Sequence, residues 1–215
     1  MRLPSPLYAI LDRSVSPDRD LPSLLDAVLS GGGRLVQLRE KTLPLAQLLP
    51  LAQHLARRCR EVGALFIVND RADLALAVGA DGLHVGQGDL PARRAREILR
   101  PGMILGVSTH DLEQARRAVA DGADYVAVGS VYPTSTKSGF QLVGLDLIRR
   151  VRSEVPVPLV GIGGITAENA GAVLAAGADA VAVISALCAA SDPEAATRSF
   201  LARLDPSAAG PRPGA

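Results

Sequence analysis

The segment GADGLHVGQ at Gly79–Gln87 decides the fold, because the chain repeats its pattern as GADYVAVGS at Gly122–Ser130 and GADAVAVIS at Gly177–Ser185. Each copy begins with a glycine that closes an alanine-rich helical stretch, continues through four to six apolar residues and stops on a small or polar residue. A glycine just past a helix, followed by a buried strand, is typical of a helix-to-strand junction. Three such junctions predict alternating strands and helices, with functional residues following the strand ends.

Eight apolar or β-branched runs have the length of buried strands, and segments with helical periodicity lie between them. The runs are continuous rather than alternating, which is typical of parallel strands covered on both faces. Eight such units in 215 residues favour an α/β fold of the single (β/α)8 barrel type, with an open doubly wound sheet as the alternative. The predicted strands are Leu7–Leu11, Leu35–Leu38, Ala64–Val68, Gly82–Val85, Met103–Val107, Tyr125–Val128, Pro158–Ile162 and Ala180–Ile184, and the predicted helices include Leu45–Val62, Pro91–Leu99, Asp111–Ala120, Leu145–Val151 and Ala167–Ala176.

The composition fits one domain whose partners are small molecules. Apolar residues make up 48% of the chain and charged residues 21%, and the net charge of +1 gives no reason to expect a nucleic acid or a membrane as partner. Cys59 and Cys188 match neither a metal-binding nor a disulfide spacing. The sequence has no signal-peptide pattern and no apolar run of membrane-spanning length, so we expect a cytoplasmic protein. The sequence does not decide whether the protein forms a homo-oligomer.

The predicted barrel occupies residues 1–204 as one domain. The remaining segment, DPSAAGPRPGA at Asp205–Ala215, is rich in Pro, Gly and Ala and predicts a disordered tail.

The end of the second predicted strand carries a concentration of positive charge. Side chains alternate along a strand, so Gln37, Arg39 and Lys41 share one face. If that face looks into the barrel mouth, an arginine fork and a lysine point charge converge there, which suits a multiply charged phosphate ester. The alternative is that both cations pair with carboxylates at the rim.

Two aspartates follow neighbouring strands one βα step apart. Asp70 comes after Asn69 at the end of the third strand, and Asp89 follows the fourth. Two adjacent carboxylates beside a diphosphate site indicate Mg²⁺, which takes few protein oxygens and keeps waters and substrate phosphates as further ligands. The alternative is helix capping, since each aspartate precedes a predicted helix.

The later strand ends indicate a second anion site. Gly161-Ile162-Gly163-Gly164 closes strand seven and precedes a predicted helix. In barrels the loops after strands seven and eight often bind a phosphate through backbone N–H groups, helped by a following helix N-terminus. The alternative is that these glycines only permit tight turns. Strand six leads into the polar loop Pro133–Gly139, which contains one lysine but lacks the glycine spacing of a P-loop. A cationic site and a backbone site at one mouth predict two phosphorylated substrates.

In their order and spacing, these motifs resemble thiamine phosphate synthases. The segments that carry the resemblance are QLREK, the Asn69–Asp70 pair, GLHVGQGD, GVSTH, the PTSTK loop, GIGGI and the final AVIS, spread over residues 7–204. The resemblance implies a (β/α)8 barrel that joins hydroxymethylpyrimidine diphosphate to hydroxyethylthiazole phosphate with Mg²⁺ as cofactor and releases pyrophosphate. The tail lies outside it.

The resemblance also implies a role for each matching residue. It implies that Gln37 and Ser108 contact the pyrimidine, and that Asp70 and Asp89 bind Mg²⁺. The diphosphate would be held by Arg39, Lys41, Asn69 and Lys137, of which Arg39, Lys41 and Lys137 would also stabilise the leaving group, and the thiazole phosphate would be surrounded by Thr134, Thr136, Gly164, Ile184 and Ser185.

Two other functions remain open at this point. The related thiazole tautomerase shares the barrel, but the resemblance implies a histidine at the end of strand six in that enzyme, where this chain has Ser130. A non-catalytic binder of thiamine precursors is the other. Retention of both aspartates and all three cationic side chains argues against it, because a binder has no leaving group to stabilise.

Overall fold

A computed structural model describes residues 2–134 and 142–205. Its eight parallel strands pair in chain order, and β1 (Leu7–Asp12) also pairs with β8 (Ala180–Val183), so the sheet closes. The predicted (β/α)8 barrel is therefore confirmed, and the open sheet is excluded. Within the part of the chain that is described, no helix has both the length and the apolar character needed to cross a bilayer.

All eight predicted strands are present, and their ends lie within two residues of the ends of the apolar runs. The six strands between β1 and β8 are β2 (Leu35–Arg39), β3 (Leu65–Asn69), β4 (Gly82–Val85), β5 (Ile104–Thr109), β6 (Tyr125–Val128) and β7 (Leu159–Ile162). The helices are α1 (Leu21–Ser30), α2 (Leu45–Glu61), α3 (Ala72–Val78), α4 (Ala92–Ile98), α5 (Leu112–Ala120), α6 (Gly144–Arg152), α7 (Ala170–Ala175), α8 (Ser185–Cys188) and α9 (Pro193–Leu204).

The repeated Gly-Ala-Asp triplet makes a helix-to-strand junction in each of its three copies. Gly79 follows α3 in the left-handed region at φ 62°, where only glycine avoids a steric penalty. The aspartate two residues later ties the junction to the preceding strand. Asp81 Oδ2 accepts a hydrogen bond from the Phe66 amide at 2.8 Å, and the Asp81 amide donates to the Phe66 carbonyl at 2.9 Å.

The other two copies repeat this clamp on the next odd-numbered strands. Asp124 Oδ2 accepts from the Leu105 amide and Asp179 Oδ2 from the Leu159 amide, each at 2.8 Å. The aspartate is therefore part of the repeat for a structural reason, because it fixes the register between adjacent βα units.

The core has two layers that follow the alternation of side chains along the strands. The larger layer lies between the strands and the helices and contains Leu38 and Val68. The smaller layer fills the barrel interior and contains Tyr8, Ile67 and Tyr125. Cys59 and Cys188 are buried and free, which agrees with the reading that they form no disulfide.

The interior layer has room for Tyr125 only because β5 has a glycine beside it. A Cβ atom built on Gly106 would lie 2.0 Å from Cζ of Tyr125, a separation that real contacts do not show. We expect Gly106→Ala to lower Tm by about 2–12 °C, since overpacking costs about 1–3 kcal/mol. Differential scanning calorimetry checks this, with Gly171→Ala, whose Cβ meets open space, as the matched control. An unchanged Tm for Gly106→Ala would contradict the packing described here.

Candidate active site

One pocket opens at the carboxyl ends of the strands and collects residues from every predicted cluster. Thirteen residues were predicted for the site, and the eleven that the structure describes all line this pocket. Thr136 and Lys137 lie outside the described residues, so their roles stay predictions from sequence. The eleven are Gln37, Arg39, Lys41, Asn69, Asp70, Asp89, Ser108, Thr134, Gly164, Ile184 and Ser185.

Both cations of the β2 end face the pocket, and each has a carboxylate beside it. Arg39 Nη1 forms an ion pair with Asp12, whose side chain is 3% exposed. Lys41 Nζ lies 3.1 Å from Asp70 Oδ2, and the Lys41 side chain is 53% exposed. Both cations thus pair with carboxylates, as the alternative interpretation held. This pairing does not prevent them from also binding an anion, because a lysine has three donors and a guanidinium five.

Asp70 and Asp89 come together at the mouth, as their spacing predicted. Burial and then the neighbouring Asp89 raise the pKa of Asp70. For Asp89, burial alone would raise the pKa, but hydrogen bonds from Asp70 and from the Gly86 amide outweigh it and lower the pKa. The two pKa values shift in opposite directions because the carboxyls lie close enough to interact, and the Lys41 ammonium partly offsets the rise at Asp70.

The capping alternative for these aspartates is not what the structure shows. The residues at the starts of α3 and α4 are Arg71 and Pro91, and neither helix has a side-chain cap. Asp89 Oδ2 instead accepts from the Gly86 amide at 2.8 Å within its own loop. Asp70 has φ 61° and is the one non-glycine residue with a positive φ in the described part of the chain, a conformation that turns its carboxylate toward Lys41 and Asp89.

This pair of carboxylates fits a hard divalent cation. A cation between two neighbouring carboxylates would relieve their repulsion, and Mg²⁺ needs only one or two protein carboxylates when substrate phosphates complete its shell. In the described residues, no third His, Cys, Asp or Glu joins them to form a complete metal cage. These residues therefore fit a divalent cation whose remaining ligands would come from elsewhere.

A buried chain of hydrogen bonds crosses the barrel floor beneath the pocket, and the sequence analysis missed it. Gln37 Nε2 donates to Tyr8 Oη at 2.7 Å, and Tyr8 Oη lies 2.9 Å from Tyr125 Oη. Tyr125 Oη lies 2.8 Å from His84 Nδ1, and His84 Nε2 lies 2.8 Å from Ser108 Oγ. Burial lowers the pKa of His84 to about 4, so its imidazole is neutral at pH 7. Both ends of the chain line the pocket.

Ser108 bonds to His84, and it does not cap the helix α5 that follows it. The side chain that caps α5 is Asp111, which accepts from the Gln114 amide at 2.7 Å. A second histidine missed by the sequence analysis, His110, also lines the pocket, and its Nδ1 lies 2.6 Å from the Gly129 carbonyl oxygen. A carbonyl accepts only, so Nδ1 carries the proton.

The glycine turn after β7 approaches the β6 loop so closely that side chains are excluded. A Cβ on Gly163 would lie 2.6 Å from Ser130 Cβ, and one on Gly164 would lie 2.3 Å from the Pro133 carbonyl oxygen. The two glycines have φ values of 102° and 63°. The two glycines are thus needed for a tight turn, as the alternative interpretation held. The backbone of this turn also forms part of the pocket wall.

The helix expected after this turn is present, but it begins three residues later than the sequence predicted. The predicted helix Ala167–Ala176 begins only at Ala170. Asn169 explains the delay: its Oδ1 accepts from the Thr166 amide at 2.9 Å and its Nδ2 donates to the Gly164 carbonyl at 3.0 Å, which holds a turn before the helix. The helix dipole therefore does not contribute at Gly164 itself.

Comparison with known proteins agrees with the motifs. A family model described as thiamine monophosphate synthase matches residues 7–187. A thiamine-phosphate synthase of Moorella thermoacetica is 48% identical over 193 residues, covering 89% of this chain and 92% of that protein. One of Chlorobium luteolum is 44% identical over 205 residues, covering 95% of each.

Comparison with solved structures also finds an enzyme named for thiamine phosphate. A thiamine phosphate pyrophosphorylase from Pyrococcus furiosus superposes with a TM-score of 0.86 at 39% identity, covering 93% of this chain and 95% of that one. A hexulose-6-phosphate synthase, at 21% identity and a TM-score of 0.65 over 94% of this chain and 99% of that one, shares the fold alone.

Proposed function

The chain belongs to the thiamine monophosphate synthase family and makes thiamine phosphate, and from that premise we propose how its pocket performs the reaction. We infer that 4-amino-5-hydroxymethyl-2-methylpyrimidine diphosphate and 4-methyl-5-(2-phosphoethyl)thiazole are joined with release of pyrophosphate. The observation that carries this proposal is the asymmetry of the pocket. Arg39, Lys41 and the Asp70–Asp89 pair line its β2–β4 side, and the Gly163–Gly164 turn lines its β7 side.

The diphosphate belongs on the cationic side. Arg39 and Lys41 would neutralise its charge, while Asp12 holds the Arg39 guanidinium in place through their ion pair. Asn69 lies on the same side of the pocket and offers an amide donor for a phosphate oxygen. Lys137 enters this proposal from the sequence resemblance only.

Asp70 and Asp89 would hold Mg²⁺ together with diphosphate oxygens. When bound, the cation neutralises charge that develops on the leaving diphosphate. Lys41 Nζ lies 3.1 Å from Asp70 Oδ2, so this lysine would contact the diphosphate close to the carboxylates that would hold the cation.

The C–O bond to the diphosphate breaks first in this mechanism, and its electron pair leaves with the diphosphate. The methylene cation that remains is stabilised by the 4-aminopyrimidine ring, so the protein needs chiefly to stabilise the leaving group and to position the acceptor. The thiazole nitrogen then donates its electron pair to form the new C–N bond. Gln37 and Ser108 would orient the pyrimidine.

The thiazole phosphate fits the opposite side of the pocket. Backbone N–H groups of the Gly163–Gly164 turn can approach a phosphate closely because neither glycine has a Cβ. Thr134 and Ser185 add hydroxyl groups at the same wall, and Ile184 supplies an apolar surface for the ring. Thr136 joins this group by the sequence resemblance alone.

A turnover assay separates this function from its two rivals. Both substrates are mixed with the protein and Mg²⁺, and ³¹P NMR follows the phosphates. We expect pyrophosphate and thiamine phosphate in equal amounts. Isomerised thiazole phosphate without pyrophosphate would identify a tautomerase, for which the pocket offers Ser130 rather than a histidine at the end of β6. Binding of both compounds without any product would identify a binder.

Removal of divalent metal is expected to abolish turnover. After exhaustive chelation, the rate should fall at least about 100-fold and return when Mg²⁺ is restored, because the charge on the leaving diphosphate is then incompletely neutralised. Isothermal titration of Mg²⁺ in the presence of pyrophosphate gives a readout that does not depend on activity. Full turnover by protein that contains no metal would contradict the assignment of Asp70 and Asp89.

A further inference from the structure

The buried hydrogen-bond chain Gln37–Tyr8–Tyr125–His84–Ser108 joins opposite walls of the pocket through the barrel floor. Gln37 lies on β2 and Ser108 on β5, and both line the pocket. The three groups between them are among the most deeply buried polar side chains described, with exposures of 1%, 0% and 6% for Tyr8, Tyr125 and His84. Such groups are costly unless every donor has an acceptor.

Counting donors and acceptors shows that the chain has a direction. Gln37 Nε2 can only donate, so Tyr8 Oη accepts from it and must give its own proton to Tyr125. Tyr125 then donates to His84 Nδ1, and a neutral His84 carries its proton on Nε2 and donates to Ser108 Oγ. Each of the four hydrogen bonds is therefore donated in the direction from Gln37 to Ser108.

The reverse direction requires all five groups to change together. If the Gln37 amide turned over, Tyr8 would donate to its oxygen, Tyr125 would donate to Tyr8, and His84 would move its proton to Nδ1. Ser108 would then donate its proton inward to His84. If only part of the chain reverses, then at one junction two buried protons face each other, or two buried lone pairs do. That junction loses its hydrogen bond, and the desolvation of its buried polar groups is no longer compensated.

The direction decides what each wall presents to the pocket. In the direction that starts at Gln37, the bond from Nε2 to Tyr8 leaves the Gln37 carbonyl oxygen as an acceptor, and the bond from His84 to Ser108 Oγ leaves the Ser108 hydroxyl proton as a donor. Arg39 and Lys41 line the pocket together with Gln37. Their positive charges favour the orientation in which the amide oxygen of Gln37, and not its NH2 group, faces the pocket. The two walls therefore offer an acceptor and a donor on opposite sides.

We propose that Tyr8, Tyr125 and His84 are positioning residues that couple Gln37 to Ser108, so that the site accepts a 4-aminopyrimidine and rejects its 4-oxo counterpart. This inference rests on the proposed function, in which the pyrimidine lies between Gln37 and Ser108. In a 4-aminopyrimidine, the amino donor and the acceptor nitrogen N1 lie at opposite ends of the ring, which matches the two walls.

The coupling is what makes the rejection effective. A 4-oxo ring places an oxygen against the Gln37 oxygen. A glutamine side chain without the bond to Tyr8 would relieve this repulsion by turning its amide over. In the intact chain that turn also directs the Ser108 proton inward, so the mismatch moves to N1 at the other wall. Sites that hydrogen-bond a substrate group in this way discriminate strongly, because a mismatch leaves a buried polar group unpaired.

Equilibrium affinity provides the test, because the 4-oxo ring would also react more slowly for electronic reasons. The ligands are the monophosphates of the 4-amino and 4-oxo 5-hydroxymethyl-2-methylpyrimidines, measured by isothermal titration calorimetry. We expect the wild type to prefer the amino compound at least about 100-fold. In Tyr8→Phe the preference should shrink by about 10- to 100-fold, chiefly through tighter binding of the oxo compound. Tyr125→Phe should behave alike.

The tautomer of His84 gives a second readout that a merely structural role would not move. Two-bond ¹H–¹⁵N correlation spectra of ¹⁵N-histidine protein report which ring nitrogen carries the proton, and His84→Asn assigns the signal among the three histidines. We expect the Nε2–H form in the wild type. Tyr8→Phe should mix the two tautomers although Tyr8 does not contact the His84 ring nitrogens, which bond to Tyr125 and Ser108.

Phe200→Leu is the matched control, because Phe200 is 2% exposed and lies in the outer layer. It should lower Tm without changing the affinity ratio or the tautomer. An unchanged ratio in both tyrosine variants, or an equal change in Phe200→Leu, would overturn the coupling. If the wild type instead makes no thiamine phosphate from the two substrates, the proposed function fails, whereas the tautomer readout still tests the coupling.

Discussion

Asp89→Ala is expected to lower the turnover number by about 100- to 1,000-fold. The reason is electrostatic: one of the two carboxylates that would hold the cation at the diphosphate is lost. The fold should tolerate the change. Asp89 caps no helix, and its hydrogen bond to the Gly86 amide is worth about 1 kcal/mol, so Tm should fall by only about 2–4 °C.

Asp192→Ala is the matched control for this variant. Asp192 caps α9 by accepting from the Ala195 amide at 2.9 Å and is not among the pocket residues. Its loss should lower Tm by a similar amount, with turnover unchanged. An Asp89→Ala protein that melts early but turns over at the wild-type rate would show that this aspartate is structural.

Arg39→Ala is expected to damage both stability and activity, for two separable reasons. Turnover should fall by about 100- to 1,000-fold, because the arginine no longer neutralises the leaving diphosphate. Tm should fall by about 2–12 °C, since a buried polar group left without its partner costs about 1–3 kcal/mol and the Arg39 side chain of this pair is 23% exposed. The cost arises at Asp12, which is 2% exposed and, within the described part of the chain, would keep the hydrogen bonds from the Ser14 amide and hydroxyl.

The double variant Asp12→Ala with Arg39→Ala separates the two effects. Without its carboxylate, the site no longer holds an uncompensated charge, and most of the lost Tm should return. Turnover should stay low, because the leaving group still lacks the guanidinium. Recovery of turnover together with Tm would contradict a role for Arg39 in the chemistry and would leave it as a structural partner of Asp12.

The strand order and the positions of the pocket side chains follow local rules, and these the sequence could predict. Continuous apolar runs mark buried parallel strands, and the glycine of each Gly-Ala-Asp triplet marks the junction before the next strand. Alternation along β2 correctly put Gln37, Arg39 and Lys41 on one face. The spacing of Asp70 and Asp89 placed them together because neighbouring parallel strands end at one edge.

The features that sequence reasoning missed depend on contacts between distant segments. Tyr8 and Tyr125 read as apolar core because each lies in a continuous buried run, and only the closed barrel brings their hydroxyls within 2.9 Å. His84 could have been suspected, since alternation along β4 places it inward between Gly82 and Gly86. The late start of α7 depends on the bond from Asn169 to the Gly164 carbonyl, which helical periodicity does not reveal.

The most direct test of the central claim, that the two walls of the pocket hold the two phosphorylated substrates, is a crystal structure with Mg²⁺, pyrophosphate and thiamine phosphate bound. We expect pyrophosphate beside Arg39 and Lys41, with the cation between it and the Asp70–Asp89 pair. The phosphate of thiamine phosphate should lie on the Gly163–Gly164 turn, and its pyrimidine between Gln37 and Ser108. Exchanged positions of the two phosphate groups, or binding of either product outside this pocket, would contradict the claim.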